Sequence, residues 1–314
     1  MNPYRKEYRW ADLFAMVRNL SKDAEICPDD FRGRTVVITG ATSGIGLAAA
    51  RKFASQGANL VLVNRNEKKS VELCESLRTE YHTACEYLLA DFSRLSDIHV
   101  AAQRLSNLER NIDVLIHNAG VYITQKTFTQ DGIESVFQTN YLSTFIINHT
   151  IREKLKKQNS GRILYVNSEA HRFAWLGLYL DDLRWDEHRY SGLMSYGSAK
   201  MAQLLSMLKY AEYFQDTGVT INAMHPGNVR TNSGQNNSQA YKFFKRILVD
   251  QTARPIDLPT EAIYYLCVSK NVAAMSGKFF NLTTEETPAP PALDKAAAER
   301  LWNISLKMSG LHEN

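Results

Sequence analysis

The sequence predicts an α/β fold, a single doubly wound parallel sheet with helices on both faces, and three observations carry that prediction. From residue 33 to residue 283, short β-branched or apolar runs alternate with longer helical patterns, the order of a chain of βαβ units. The first run passes straight into "TGATSGIG" (39–46), a glycine turn that opens a helix. No linker divides the alternation, because the one Pro-rich stretch, "TPAPPAL" (287–293), follows the last strand. One domain over 33–283 is therefore expected, with an N-terminal helical extension over 1–32 and a C-terminal helical extension over 284–314.

Taken in order, the strands are expected at "RTVVIT" (34–39), "NLVLVN" (59–64), "ACEYLLA" (84–90), "IDVLIH" (112–117), "GRILYVN" (161–167), "VTINAM" (219–224) and "SGKFFNL" (276–282). Each is short, apolar or β-branched, and bounded by turn or helix-start residues. Helices lie between them, with a terminal one at about 294–309. The cluster "REKLKK" (152–157) closes a helix, where cations complement the carboxyl-end dipole. In the N-terminal extension, Trp10, Leu13, Phe14 and Val17 form one apolar stripe at helical spacing. That stripe suits packing on the chain's own domain or on a subunit partner; peripheral membrane contact is the alternative.

Composition narrows the function classes. With 314 residues, 44% hydrophobic and 22% charged, the chain has material for a large core and no bias toward disorder. A net charge of +4, not gathered into a stripe, leaves no footprint for nucleic acid. No apolar run approaches the roughly 18 residues of a membrane span, so a soluble, cytoplasmic protein is expected. Cys27, Cys74, Cys85 and Cys267 are scattered without a CxxC, which suggests neither a zinc site nor a disulfide framework and fits a reducing compartment. No two histidines stand at i, i+4, so no metal is expected. Sequons at Asn148, Asn236, Asn281 and Asn303 come without a secretory signal and carry no weight.

Glycines in the first turn let backbone approach a ligand closely, and the helix amino end offers free N–H groups and a positive dipole to a diphosphate. Standing between a strand and a helix at the head of a βαβ run, the turn has the context of a dinucleotide-binding (Rossmann) motif. Gly40, Thr42, Ser43, Gly44, Ile45 and Gly46 are its binding candidates. At the end of the second strand, where an acid would accept from an adenosine 2′-hydroxyl, the chain has Asn64 and Arg65. A guanidinium there pairs with a 2′-phosphate, so NADP(H) is expected over NAD(H); the other reading makes Arg65 a solvated loop cation.

With the glycine turn, "HNAG" (117–120), a serine after the fifth strand and "SYGSAK" (195–200), the chain resembles the short-chain dehydrogenase/reductase family over residues 33–283. Within it, "NSEAH" (167–171), a long insertion before the tyrosine and the ending "AAERLWNISLKMSG" (297–310) are most similar to the retinol dehydrogenase and WW-domain-oxidoreductase-like branch. The resemblance implies that Asp91 and Phe92 meet the adenine ring, and that Asn118, Ala119 and Gly120 support the fourth strand and line the cofactor groove. It implies that "HPGNVRT" (225–231), with Pro226, Gly227, Val229 and Thr231, receives the nicotinamide carboxamide. It also implies apolar aldehydes, ketones, retinoids or steroids as substrates, and a homo-oligomer, dimer or tetramer, paired through the helices after the fourth and fifth strands.

Tyr196 and Lys200, at i and i+4, share a helix face and reach one ligand together. A free tyrosine ionises near pH ~10, and a neighbouring ammonium lowers that value toward neutrality. By the resemblance, Tyr196 protonates the substrate oxygen, Ser168 hydrogen-bonds it, Lys200 grips the nicotinamide ribose, and Asn140 binds a water that links Lys200 to solvent. Ser195 and Ser198 are placed off that face by their helix positions. His117 and His225 read as structural, and His171 as the histidine that borders substrate. Two apolar stretches, "FAWLGLYL" (173–180) and "YKFFKRILV" (241–249), suit either walls for an apolar carbonyl compound or a lid packed on the domain. Competing functions are a cofactor-sensing binding protein on this fold and a light-driven pigment reductase of the protochlorophyllide type.

Overall fold

In the computed structural model, which describes residues 4–9, 18–19, 22–174, 176–227 and 254–313, the chain builds one eight-stranded sheet. Its strands are β1 (Thr35–Thr39), β2 (Asn59–Asn64), β3 (Cys85–Leu89), β4 (Val114–His117), β5 (Gly161–Val166), β6 (Val219–His225), β7 (Phe279–Asn281) and β8 (Thr284–Glu286). They lie in the order β3-β2-β1-β4-β5-β6-β7-β8, all parallel except the β7–β8 hairpin. Seven strands fall where the sequence places them; β8, at three residues, is too short to show a period.

The helices that cover the sheet are α1 (Gly44–Ser55), α2 (Glu67–Tyr81), α3 (Leu95–Ser106), α4 (Ser143–Gln158), α5 (Gly192–Tyr213), α6 (Asp257–Val268) and α7 (Lys295–Ser309). Every residue of β1 is buried, and its side chains alternate between two cores. Val37 joins Ile98, Phe145, Leu204 and Leu301 on the face of α3, α4, α5 and α7, while Val36 and Ile38 join Phe53, Leu77 and Ile263 on the face of α1, α2 and α6. Two covered faces explain why the strands read as near-continuous apolar runs. β1 pairs with β2 on one side and β4 on the other, so the winding reverses there and leaves a crevice at the carboxyl ends of the strands.

The described parts of the N-terminal extension pack on the chain's own domain. Tyr4 donates its hydroxyl to Asp294 at 2.9 Å, Asn19 donates to the Glu286 carboxylate at 3.0 Å, and the Glu25 N–H donates to Thr283 Oγ1 at 3.0 Å. The stripe of Trp10, Leu13, Phe14 and Val17 lies outside the described residues, as do Trp175, Val229, Thr231 and the apolar stretch 241–249. At the other end, the Trp302 indole of α7 meets Phe145 and His149 of α4 and Tyr210 of α5, with ring centroids 5.1, 5.8 and 5.0 Å away. The face expected to pair with another subunit is thus covered at these residues by α7 of the same chain. Among the described residues no helix is long and apolar enough to cross a membrane.

Cys74 of α2 and Cys85 of β3, far from one another in any sequence motif, meet as free thiols with sulfurs 2.9 Å apart. Two of the sequons are internal: the Asn148 carboxamide is bound between His117 and the Tyr165 hydroxyl, and Asn281 donates to Glu286.

Candidate active site

The glycine turn is shaped by contacts that admit no side chain. A Cβ on Gly40 would stand 2.9 Å from the Ala119 Cα, and one on Gly46 would stand 2.4 Å from both Asn118 Nδ2 and the Gly40 carbonyl. Gly44 differs, with φ +56° and open space where its Cβ would be. Ser43 caps α1 without a side-chain hydrogen bond, and the first turn carries no acid, so its N–H groups and positive dipole remain available to an anion. Asn118 ties the turn down from β4, donating through Nδ2 to the carbonyls of Thr39 and Gly40 at 3.1 and 2.9 Å. The N–H groups of Asn118 and Ala119 both donate to Thr39 Oγ1 at 3.0 Å.

Asn64, expected at the ribose, is instead buried and accepts the Ala41 N–H at 2.7 Å, so its carboxamide oxygen holds the turn. The β1–β2 register, which sets Thr39 opposite Val63, brings the two segments that close. Arg65 alone of the pair stands exposed, just ahead of α2, with no hydrogen-bond or ion-pair partner among the described residues. Asp91, after β3, accepts the Ser93 N–H and hydroxyl at 3.0 and 2.8 Å. Phe92, expected at the adenine, has its ring in the core instead, because the apolar cluster of α3 and α4 lies directly beneath. Pro226 and Gly227 follow β6 half-buried, with φ +74° at Gly227. An unspent helix amino end and an open glycine together fit the diphosphate of a dinucleotide, with the exposed Arg65 guanidinium just ahead of α2.

The catalytic candidates meet at the carboxyl ends of β4 and β5. Ser168 caps the short 3-10 turn Glu169–Phe173, accepting the Ala170 N–H at 3.1 Å while its own N–H donates to Asn167 Oδ1 at 2.8 Å. Gly197 lets α5 lie against that turn, since a Cβ there would stand 2.4 Å from the Ala170 carbonyl. Its neighbour Tyr196 is half-buried and meets the Tyr122 ring edge-to-face at 5.4 Å. One turn on, the Lys200 ammonium lies 5.7 Å from the Tyr196 ring centroid. Burial pushes Lys200 down to about 7, and its Nζ donates to the Val166 carbonyl at 2.8 Å and to Gln203 Oε1 at 3.3 Å.

Asn140 sits in a π-helical turn, Gln138–Leu142, that leads into α4. Both ends of its carboxamide are engaged by the Val121 backbone, at 2.7 and 2.9 Å. Its backbone carbonyl accepts the Gln203 Nε2–H at 2.7 Å, so the Gln203 side chain joins Asn140 to Lys200. His171, expected to border substrate, is fully buried: it bonds the Ser168 carbonyl through Nδ1 at 2.8 Å and accepts the Ala289 N–H on Nε2 at 3.1 Å. Burial pushes it down to about 3, which keeps the imidazole neutral as those two bonds require. Ser195 and Ser198 line a separate small cavity with Glu134, Leu178 and Trp185, off the tyrosine–lysine face.

Comparison with known proteins decides the family. A short chain dehydrogenase family model matches residues 34–179. Human retinol dehydrogenase 13 is 32% identical over 290 residues, covering 89% of this chain and 85% of the relative. The chain belongs to the short-chain dehydrogenase/reductase family. Mouse retinol dehydrogenase 14 is 31% identical over 323 residues, covering 96% of this chain and 93% of the relative. Among solved structures, a short-chain dehydrogenase from Sphingobium yanoikuyae in complex with NADPH superposes with a TM-score of 0.58 at 27% identity, covering 74% of this chain and 83% of the other.

This short-chain dehydrogenase/reductase is accordingly an oxidoreductase, and its site contains groups that the motifs do not announce. Asn167 and Gln203 bond the proposed catalytic residues, and His171 fastens the serine turn to residue 289. Spacing held a partial signal for Gln203, which follows Lys200 by three residues and so shares its helix face.

Proposed function

We propose that this oxidoreductase interconverts an apolar carbonyl compound and its alcohol with NADP(H) as the dinucleotide. The observation that carries the reading is the convergence of Tyr196, Lys200 and the Ser168 turn beside the glycine turn, at the crevice where the sheet reverses. Arg65 holds the 2′-phosphate, the amino end of α1 holds the diphosphate, and Lys200 holds the nicotinamide ribose. When bound, the reduced nicotinamide supplies hydride to the substrate carbon. Tyr196 gives its phenolic proton to the substrate oxygen, and the Ser168 hydroxyl holds that oxygen where negative charge develops. Lys200 favours the phenolate left behind, and Asn140 and Gln203 keep Lys200 in place.

Exposed apolar side chains support an apolar substrate: Leu193, one turn before Tyr196, and Phe173, at the end of the serine turn, are 38% and 51% exposed. Both relatives named above are called retinol dehydrogenases, which favours a retinoid or a similarly apolar aldehyde. Free cysteines, two with adjacent sulfurs, support a reducing, cytoplasmic setting.

NADPH consumption on a panel of apolar aldehydes and ketones, retinal included, tests the reading. Tyr196→Phe is expected to bind NADPH within about threefold of wild type while losing more than about 99% of turnover. A saturating NADPH titration with no turnover on any member of the panel sinks the proposal. Arg65→Ala is expected to weaken NADPH binding by about tenfold or more and leave NADH binding nearly unchanged. Equal losses for both cofactors, or none, would remove the phosphate clamp.

A further inference from the structure

We infer that Gln203 is a positioning residue, whose carboxamide joins the Asn140 carbonyl to the Lys200 ammonium and thereby sets how readily the adjacent Tyr196 ionises. The inference rests on the reading of Tyr196 and Lys200 as the proton-transfer pair. Gln203 is fully buried on α5. Its Nε2 donates to the Asn140 carbonyl at 2.7 Å, and its Oε1 accepts from Lys200 Nζ at 3.3 Å and from Asn167 Nδ2 at 3.0 Å. A carbonyl oxygen only accepts and an ammonium only donates, so a single orientation of the carboxamide serves both neighbours.

Asn167 extends the chain of bonds. Its Nδ2 also donates to the Lys200 backbone carbonyl at 2.9 Å, and its Oδ1 accepts the Ser168 N–H at 2.8 Å. Two buried carboxamides therefore touch Asn140, Lys200 and Ser168, three residues from three separate segments of the fold. Such a network is rigid because each member has its bonds satisfied in one arrangement, and losing one member leaves buried polar groups unpaired.

The surroundings of Lys200 give Gln203 its leverage. From β5 it meets the neutral Val166 carbonyl at 2.8 Å; from its own helix, the Tyr196 ring at 5.7 Å. From β4 it faces His117, which burial, and to a lesser degree the lysine itself, keeps neutral, its pKa pushed down to about 4. Among the described residues no carboxylate pairs with Lys200, so its charge is held by two neutral oxygens, one of them Gln203 Oε1. Removing that oxygen disfavours the ammonium, and a weaker ammonium does less to favour the Tyr196 phenolate. The sign follows: without the Gln203 carboxamide, Tyr196 ionises at higher pH.

The test is an ultraviolet difference titration of the full chain with saturating NADP⁺, in which the Tyr196 step is the part that Tyr196→Phe abolishes. Gln203→Met keeps side-chain length and volume without the hydrogen bonds; Gln203→Asn keeps a carboxamide too short to span. Both are expected to move the Tyr196 step to higher pH by about one unit, about tenfold in the ionisation constant, in the same direction as Lys200→Met. The pH of half-maximal turnover should move with it, whereas a merely structural role would lower the melting temperature and leave the step in place. A wild-type step that stays put in either Gln203 variant that folds overturns the inference and spares the functional reading. No Tyr196-dependent step in the wild type overturns both.

Discussion

Lys200 is fully buried, and desolvation pushes its pKa down to about 7 from 10.5. Between those pH values the unfolded chain carries a proton that the folded chain has released. Stability from this group therefore rises as pH climbs from about 7 toward 10.5, and is lowest below 7 where the buried ammonium must stay charged. Denaturant midpoints at pH about 7 and about 9 should show a rise in the wild type that is smaller in Lys200→Met; identical slopes would mean that the lysine is solvated. The tyrosine and lysine were legible in the sequence because i, i+4 spacing is a local property of a helix. The role of Asn64 was not: whether its carboxamide meets a ribose or turns back to the Ala41 N–H depends on strand pairing.

At the scale of elements, the short turn after β5 and the start of α5 are held together by the absence of a side chain at Gly197. Gly197→Ala places a methyl 2.4 Å from the Ala170 carbonyl, a backbone atom that cannot swing aside. We expect turnover to fall about tenfold or more, from misplacement of Tyr196 against Ser168. NADPH affinity, which we propose is set mainly by α1 and Arg65, should change by less than about threefold. Steady-state kinetics and a binding titration separate the two; unchanged turnover would show that the helix accommodates the methyl. The seven parallel strands could be read from sequence because most are short runs of apolar residues, and β1, β4 and β6 are buried along their whole length. β8 could not, since its pairing follows from a hairpin whose two strands have three residues each.

Over the whole molecule, four histidines are kept neutral by burial: His117, His149 and His225 are pushed down to about 4, and His171 to about 3. As pH falls below the ordinary histidine value of 6.5, the unfolded chain takes up protons that the folded chain refuses, so stability present above 6.5 is lost toward pH 4. Melting temperature should drop across that range, and His149→Phe, which preserves the stack on Phe145, should make the drop shallower. An unaltered slope would place the acid sensitivity elsewhere. The sequence by itself determined the order of strands and helices, the glycine turn, the cation after β2 and the Tyr196–Lys200 spacing, while Ser168 came from the family resemblance. The first four are local, written in periodicity and in spacings within one element or one turn. Only the tertiary structure decided that α7 covers the outer residues of α4 and α5, that Cys74 meets Cys85, that His171 serves the serine turn, and that Gln203 joins Asn140 to Lys200. Each of these joins residues from different elements, and such a contact is set by how the layers pack, to which no single stretch of chain bears witness.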